Sequence, residues 1–349
     1  MNRKTVGIAL IAIALLALPL VLTQVGTAWV RIANLAILFV FLSLGLNIVV
    51  GMAGLLDLGY IAFYAVGAYV YALLASPHFN LHLPFWAILP IGALVACVAG
   101  AVLGAPTLRL RGDYLAIVTL GFGEIVRIFM NNLSAPFNIT NGPKGITRID
   151  GLSVGSVNFS ATDTLFGLSI TGPAKYYYVL LLLLLLVIVV NLRLQQSRIG
   201  RAWVAIREDE LAAKAAGINT RNVKLLAFAM GASFGGVAGG MFAAMQGFVS
   251  PESFILNESI MVLAMVVLGG MGNVWGVIAG ALLLSFVPEF LRYSVEPMQR
   301  ALFGRMLVEP EVLRMLVFGI ALVLTMRFRP AGLWPESRHK REMKAETAE

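Results

Sequence analysis

The chain has 349 residues, of which 59% are hydrophobic and only 13% are charged, with a mean hydropathy of +0.86. Soluble proteins carry about a quarter of their residues as charges, so this composition excludes a soluble globular domain. The formal net charge of +8 comes from basic residues between apolar runs, which indicates orientation in a membrane and no nucleic-acid partner.

Cysteine and histidine usage argues against several kinds of active site. Cys97 is the only cysteine and lies within an apolar run, so we expect neither a disulfide framework nor a thiolate metal cage. The chain has only three histidines, and it shows no metal-ligand cluster, no Walker A motif and no nucleophile–base pattern. We therefore expect no catalytic residue, metal site or bound cofactor. Any active transport must draw on an ion gradient or on a partner that hydrolyses ATP.

Apolar runs of membrane-spanning length recur along the chain. A span needs about 20 apolar residues. We interpret residues 6–22 as a first span and not as a signal peptide, because no small-residue cleavage site follows promptly. The further candidate spans are residues 30–50, 55–75, 85–105, 113–130, 176–192, 225–247, 257–271, 275–291 and 311–326. The sequence thus predicts an all-α polytopic membrane protein with ten spans, or with eight if the short or glycine-broken segments are re-entrant.

Basic residues orient these spans. Alternating spans bring 17 of the 26 basic residues to one side, which is expected to be the cytoplasmic side. They are Arg3, Lys4, Arg109, Arg111, Arg193, Arg198, Arg201, Arg207, Lys214, Arg221, Lys224, Arg327, Arg329, Arg338, Lys340, Arg341 and Lys344. We therefore predict a membrane domain over residues 1–335, a cytoplasmic tail over 336–349, and both termini in the cytoplasm.

The polar segment of residues 131–175 is the long outside loop on this topology. It is rich in Asn, Ser, Thr and Gly. Loops of this length in compact proteins usually have a function, so docking or gating is one interpretation and a flexible spacer is the other. Residues 292–311 form a second polar segment on the same predicted side.

Glycines mark two sites of unusual helix structure. Gly231, Gly235 and Gly239 are four residues apart, and this spacing predicts a helix face that lets another helix approach closely. The segment GGMGNVWG, residues 269–276, does not have the spacing or the strand context of a dinucleotide-binding fingerprint. It predicts a broken or re-entrant helix.

Ionisable residues inside spans are costly, so each is a functional hypothesis. Asp57, Asp113, Glu124, Arg127 and Glu258 lie in such positions. Structural roles are the alternative: Asp113 is placed to cap a helix, and Glu124 and Arg127, three residues apart, are placed to neutralise each other. A proton or ion relay requires the carboxylates to line one path.

The most polar stretch between apolar runs is residues 191–224. It holds seven basic residues and an acidic trio at 208–210, and residues 202–216 are predicted to form one helix that stops near Gly217. Trp203, Ile206, Leu211 and Ala215 fall on one side of that helix, which predicts that it lies on the membrane surface or against a partner. A plain positive-inside anchor is the alternative.

Several segments, taken together, resemble the LivM type of branched-chain amino acid permease of ABC importers. The resemblance covers roughly residues 30–335 and is carried by GLLDLGYIAFYAVGAY (54–69), LRLRGDYLAIVTLGFGEIVRI (108–128), QGFVSPESF (246–254) and VVLGGMGNVWG (266–276). It implies an ABC importer permease fold in the bacterial inner membrane, with residues 131–175 in the periplasm. The implied partners are a LivH-like permease, two LivG- and LivF-like ATPases, and a periplasmic binding protein that delivers leucine, isoleucine or valine. One departure is TNGPKGI at 140–146, where the family usually has TGGPNGI.

The same resemblance implies a coupling role for the cytoplasmic loop of residues 193–224. The loop matches the E-x-A-A-x-x-x-G pattern by which importer permeases place a short helix in a groove on the ATPase. Small alanines allow close approach, and charged neighbours fix the register. The residues expected to couple are Arg207, Glu208, Asp209, Glu210, Ala212, Ala213 and Gly217.

The translocation path is expected near the short or broken helices. The candidates for it are Asp57, Tyr60, Glu124, Gly269, Gly270 and Gly272. Within the same class, a permease for urea, short amides or another amino acid is an alternative. From another class, an ion-coupled secondary transporter would use Asp57, Glu124 or Glu258 as relay carboxylates.

Overall fold

The structure is a computed structural model of the chain. It describes residues 3–108, 110, 112–135, 138–154, 157–159, 162–165, 168–303, 305, 308–329 and 332–334. The predicted tail of residues 336–349 lies outside the described residues, as do Arg109 and Arg111 of the predicted cytoplasmic set.

Helices dominate the described chain. In order they are α1 (Arg3–Val25), α2 (Thr27–Leu46), α3 (Ile61–Leu74), α4 (Phe85–Thr107), α5 (Asp113–Asn132), α6 (Gly172–Gln196), α7 (Arg198–Glu208), α8 (Glu210–Ala215), α9 (Thr220–Gln246), α10 (Leu256–Gly269), α11 (Val274–Phe303) and α12 (Pro310–Phe328). A π-helical turn, Asn47–Met52, continues α2, and 3₁₀ turns form at Gly142–Lys144 and Pro251–Ser253.

Six of the described helical segments are long and apolar enough to cross a membrane. They are Thr27–Met52, Phe85–Thr107, Gly172–Gln196, Thr220–Gln246, Pro251–Gly269 and Val274–Ala301, and Ile13–Val25 and Ile61–Leu74 are shorter apolar helices. The prediction of an all-α polytopic membrane protein is confirmed. The predicted span 55–75 begins later, at Ile61, because Gly54 has a φ of +69° and the backbone turns before α3.

Helix α9 packs backbone to backbone against α3 and α4. A Cβ atom on Gly239 would lie 2.0 Å from the carbonyl oxygen of Tyr64, and one on Gly67 would lie 2.1 Å from that of Gly236. A Cβ on Gly236 would in turn meet the Ala96 side chain of α4 at 2.5 Å. Such distances leave no room for a side chain, so the predicted role of these glycines in close helix packing is confirmed.

Connections predicted to share a side of the membrane meet at one end of the helices. Gln195, at the end of α6, donates from Nε2 to the Gly272 carbonyl at 3.0 Å, and Arg207 of α7 donates from Nη1 to the Gly51 carbonyl. Residues 332–334 join the same end, where Leu333 N donates to Leu268 O at 2.8 Å and Trp334 N to Gly269 O at 3.1 Å. The last turn of α10 is therefore completed by backbone from beyond α12.

The described part of the 131–175 loop is hydrogen-bonded to the opposite end of the helices. Strand β1 (Ile146–Thr147) pairs antiparallel with β6 (Phe248–Val249), after α9. The other short strands form two hairpins, β2 (Ser153–Val154) with β3 (Val157–Asn158) and β4 (Asp163–Leu165) with β5 (Leu168–Ile170). Tyr176 accepts a hydrogen bond from Leu152 N and donates one to Ala244 O, both at 2.9 Å. These bonds favour the docking or gating interpretation of the loop over the spacer.

The predicted single helix over residues 202–216 is wrong. Helix α7 ends at Glu208, Asp209 is extended at φ −152° and ψ 111°, and α8 begins at Glu210. The physical reason is capping: Asp209 Oδ1 accepts from Leu211 N at 2.7 Å and from Ala212 N at 3.1 Å, which stabilises a new helix start. The break also separates Leu211, 68% exposed, from the buried Trp203 and Ile206.

Candidate functional site

The α7–α8 segment is fixed to the membrane helices through its apolar side. Trp203 is fully buried, and its Nε1 donates to the Val223 carbonyl of α9 at 2.8 Å. Ser197 caps α7 by accepting from Gly200 N at 3.1 Å. Because the indole is both packed and hydrogen-bonded, a displacement of α7 is transmitted to the start of α9.

Glu210 also faces the chain's own helices. Its carboxylate lies 2.8 Å from Lys224 Nζ of α9 and 3.2 Å from Lys214 Nζ, and it accepts from the Thr220 hydroxyl at 3.2 Å. The hydrogen bond from Lys224 is the main cause that lowers the pKa of Glu210 from 4.5 to about 2, against an opposing effect of partial burial. We call Glu210, Lys214, Thr220 and Lys224 the α8 latch.

Arg207 connects α7 to the turn that follows α2. It donates to the Gly51 carbonyl, and its side chain covers Gly54, where a Cβ would lie 2.7 Å from Arg207 Cγ. Gly51 itself leaves no space, since a Cβ there would meet Asn47 Oδ1 at 2.0 Å and Gly272 N at 2.5 Å. The α7–α8 segment therefore contacts the π-helical turn that continues α2 directly.

The glycine turn between α10 and α11 meets the same region. Gly272 has a φ of +87°, and its N–H donates to Asn47 Oδ1 at 2.9 Å while its carbonyl accepts from Gln195. Gly270, at φ +117°, ends α10. The predicted helix break at residues 269–276 is confirmed, and it brings Gly272 to the end of α6.

The outer face of α8 contains few polar contacts and one large apolar side chain. Glu208, Ala212 and Gly217 are exposed, whereas Ala213 is buried. Gly217, at φ +84°, ends the segment, and nothing lies within 4 Å of the position of its Cβ. Leu211 stands on this face, whereas the predicted continuous helix grouped it with Trp203 and Ile206, which are buried.

Two of the membrane candidates are packed in the core. Asp57 is 2% exposed, and its Oδ1 accepts from Gly59 N at 2.9 Å. Tyr60 is 1% exposed and donates from its hydroxyl to the Gly231 carbonyl at 2.9 Å. Both stabilise the start of α3, Asp57 through the turn and Tyr60 through α9.

Glu124 lies in a more open setting on α5. Arg127 Nε donates to both of its carboxylate oxygens at 3.0 and 3.1 Å, so the expected mutual neutralisation is present. Arg127 Nη1 also reaches Glu252 Oε1 at 3.2 Å. A cavity of about 130 Å³ adjoins Glu124.

Asp57 and Glu124 line different cavities in the described part of the chain. Asp57 lines a nearly filled space with Thr119 and Phe228. The contact between α5 and the turn before α3 divides the two spaces, since a Cβ on Gly123 would lie 3.1 Å from Gly59 Cα. Within the described ranges, no group of three or more His, Cys, Asp or Glu is arranged to hold a metal ion.

Comparison with known proteins identifies a family. The family described as the permease component of the branched-chain amino acid transport system matches residues 28–326. The high-affinity branched-chain amino acid transport permease protein LivM of Escherichia coli K12 is 45% identical over 98% of this chain and 79% of its own length. LivM of Salmonella typhimurium is 44% identical over 92% of this chain and 73% of its own length. The permease protein LivH of E. coli K12 is 25% identical over 70% of this chain and 79% of its own. No solved structure matches the chain.

Proposed function

The chain belongs to the family of branched-chain amino acid transport permeases, and from this premise we propose that it forms half of the pore of an ATP-driven importer. It is a permease subunit. We assign ATP hydrolysis to partner ATPase subunits and delivery of leucine, isoleucine or valine to a periplasmic binding protein. The second half of the pore is a LivH-like permease, and this chain's similarity to LivH supports such a paired arrangement.

The observation that carries the proposal is the exposed face of α8. Leu211 is 68% exposed on α8, which lies outside the candidate spans. Two carboxylates beside it are engaged within the chain, because Glu210 binds Lys224 and Asp209 caps the helix. A leucine surrounded by small alanines fits a groove on another protein.

The contacts of the segment provide a route from such a partner to the pore. The α8 latch joins the segment to α9, Arg207 joins it to the turn after α2, and Gln195 joins it to the glycine turn at Gly272. Helix α9 packs tightly on α3 and α4, so movement of α8 displaces packed helices together. ATP-driven closure of the ATPases thereby biases the pore between two states.

We assign the protein to the bacterial inner membrane, with both termini and the α7–α8 segment in the cytoplasm. The positive-inside distribution of Lys and Arg supports this orientation. The contacts described above support it as well, because connections on the predicted inner side meet one another at one end of the helices.

The test replaces Leu211 in the complete transporter. We expect Leu211→Ser to weaken copurification of the ATPases roughly thirtyfold, the equivalent of losing a hot spot of about 2 kcal/mol, and to reduce leucine uptake in parallel. Membrane insertion remains unchanged, because Leu211 touches little of its own chain.

Ile199→Ser is the matched control, since Ile199 is an exposed aliphatic residue of α7, 38% exposed, outside the coupling pattern. It is expected to leave copurification and uptake intact. Normal copurification of Leu211→Ser contradicts the docking role. Uptake that stops when ion gradients are collapsed at constant ATP contradicts ATP-driven transport and favours a secondary transporter.

A further inference from the structure

The charged pair on α5 lies on a face that the chain itself leaves open. The side chains of Glu124 and Arg127 are 41% and 23% exposed, and Glu252, which Arg127 also contacts, is 62% exposed. Glu252 lies in the turn that follows β6, so the pair is near the end of the helices that holds the 131–175 loop. Ionisable groups are costly in contact with lipid, and this open face of α5 is suited to a polar path.

Beside the pair lies the cavity of about 130 Å³, which is below the range of about 300–1,000 Å³ typical of complete small-molecule sites and therefore encloses only part of a ligand. Its wall is aliphatic and aromatic apart from one carboxylate. The lining residues are Leu58, Ile61, Leu120, Gly123, Glu124, Phe254 and Leu256.

The cavity has a rigid floor. Leu58 N donates to Thr119 Oγ1 at 3.0 Å, and Gly123 approaches the Gly59 backbone closely. These contacts hold the cavity face of α5 against the turn before α3. Arg127 holds the Glu124 carboxylate from the side, through Nε and Nη2, and leaves lone pairs of that carboxylate available to another donor.

The charge balance selects the kind of group that binds there. Two carboxylates, Glu124 and Glu252, face one guanidinium, Arg127, which leaves one net negative charge. A primary ammonium group balances this charge and donates hydrogen bonds, whereas a neutral urea or amide donates hydrogen bonds but leaves the charge unbalanced. The apolar wall suits a branched aliphatic side chain.

We propose that this cavity is a substrate half-site, which holds the aliphatic side chain of the amino acid against Leu120 and its neighbours and the α-ammonium group at Glu124. The second permease subunit supplies the remaining enclosure. The assignment rests on the proposed function and names the site at which that function acts.

The experiment compares transport of leucine and valine, which differ by one methylene group, in the complete transporter. The binding protein is supplied in excess and loaded with either amino acid, and the ratio of the two maximal rates is measured. This ratio does not depend on the amount of folded protein. Leu120→Phe, which fills the cavity, is expected to lower the leucine-to-valine ratio about tenfold.

Leu120→Ala, which enlarges the cavity, is expected to raise the leucine-to-valine ratio. If Leu120→Phe does not insert into the membrane, Leu120→Ala alone tests the half-site. Ile125→Phe is the control, because Ile125 is 59% exposed on α5 and does not line the cavity. An unchanged ratio in both Leu120 variants, or an equal change in Ile125→Phe, overturns the half-site.

Glu124→Gln tests the ammonium contact. It is expected to lower the maximal rate about tenfold for leucine and valine alike, with an unchanged ratio and intact copurification of the ATPases. A normal rate overturns the contact. Uptake by the wild type distinguishes failure of the proposed function from failure of the half-site. If the wild type carries neither leucine nor valine, the proposed function is wrong. If the wild type carries both and the Leu120 variants keep the wild-type ratio, only the half-site is wrong.

Discussion

Glu210 belongs to a sequence motif, but its shortest ion pair is with a residue far away in the sequence. The E-x-A-A-x-x-x-G pattern suggests a residue that faces a partner, but the carboxylate is held by Lys224, which is 14 positions away on α9. The lysine was visible in the sequence as one of seven basic residues. Its pairing with Glu210 depends on the break at Asp209, which turns α8 back towards α9.

The α8 latch predicts a pH-dependent contribution to stability. Because the pKa of Glu210 is lowered from 4.5 in the unfolded chain to about 2 in the fold, ionised Glu210 stabilises the fold above pH 4.5. This contribution is lost as the pH falls towards 2. We therefore expect Glu210→Gln to unfold at a lower temperature than the wild type at pH 7, and the difference to shrink below pH 4.5.

Thermal unfolding of the purified protein in detergent between pH 7 and pH 3 measures this effect. Glu208→Gln is the control, since Glu208 is an exposed neighbour on the preceding turn. A difference between Glu210→Gln and the wild type that stays constant over the whole pH range contradicts the ion-pair origin.

Asn141 shows a case in which local chemistry explains a departure from the family pattern. Asn141 replaces the first of the two adjacent glycines in TGGPNGI. Its φ of +61° is the left-handed conformation that glycine adopts freely and asparagine tolerates. Its Nδ2 donates to the Gly145 carbonyl at 2.8 Å. The substitution therefore keeps the turn and adds a hydrogen bond.

At the scale of elements, periodicity and glycine spacing predicted the helices and the close face of α9, but not the division of residues 202–216. The alanine-rich sequence favours one continuous helix. The Asp209 cap favours a break instead, and the break is stabilised because Trp203 holds α7 and Lys224 holds α8 against α9. The separation of Asp57 from Glu124 was likewise not predictable, because it depends on the contact of Gly59 with Gly123 between distant segments.

The glycine face of α9 predicts a strong effect of a single methyl group. A Cβ at Gly239 would lie 2.0 Å from the Tyr64 carbonyl oxygen, which belongs to rigid backbone. We expect Gly239→Ala to force α3 and α9 apart and to cost about 1–3 kcal/mol of stability. The measurement is the unfolding temperature of the purified protein.

Gly121→Ala provides the control for this variant. Gly121 lies in α5, and nothing is within 4 Å of its Cβ position, so alanine there stabilises the helix by about 0.5–1 kcal/mol. Equal destabilisation by the two substitutions would show that helix propensity, and not the contact between α9 and α3, sets the effect.

At the scale of the whole molecule, composition predicted the fold class, and alternation of the spans predicted which connections meet. Arg207 with Gly51 and Gln195 with Gly272 join segments of the predicted inner side. The pairing of β1 with β6 joins segments of the predicted outer side. The cavity beside Glu124 was not predictable, because its walls come from the turn before α3, from α5 and from the start of α10.

The predicted orientation is tested by labelling cysteines that are introduced after the single native cysteine has been replaced. In a Cys97→Ser background, we expect a membrane-impermeant maleimide to label Lys144→Cys in spheroplasts, since Lys144 is exposed in the 131–175 loop. Lys214→Cys, on α8, should be labelled only after the membrane is permeabilised. The opposite pattern of labelling would reverse the orientation and remove the cytoplasmic coupling role.

The backbone bonds from Leu333 and Trp334 to the end of α10 also have a consequence for biogenesis. The ribosome synthesises α10 before residues 332–334. The carbonyls of Leu268 and Gly269 therefore lack these two hydrogen-bond donors while α11 and α12 are being synthesised. The turn between α10 and α11 is thus completed only after α12 has been synthesised, and a chain that stops before residue 332 leaves the end of α10 without these two hydrogen bonds.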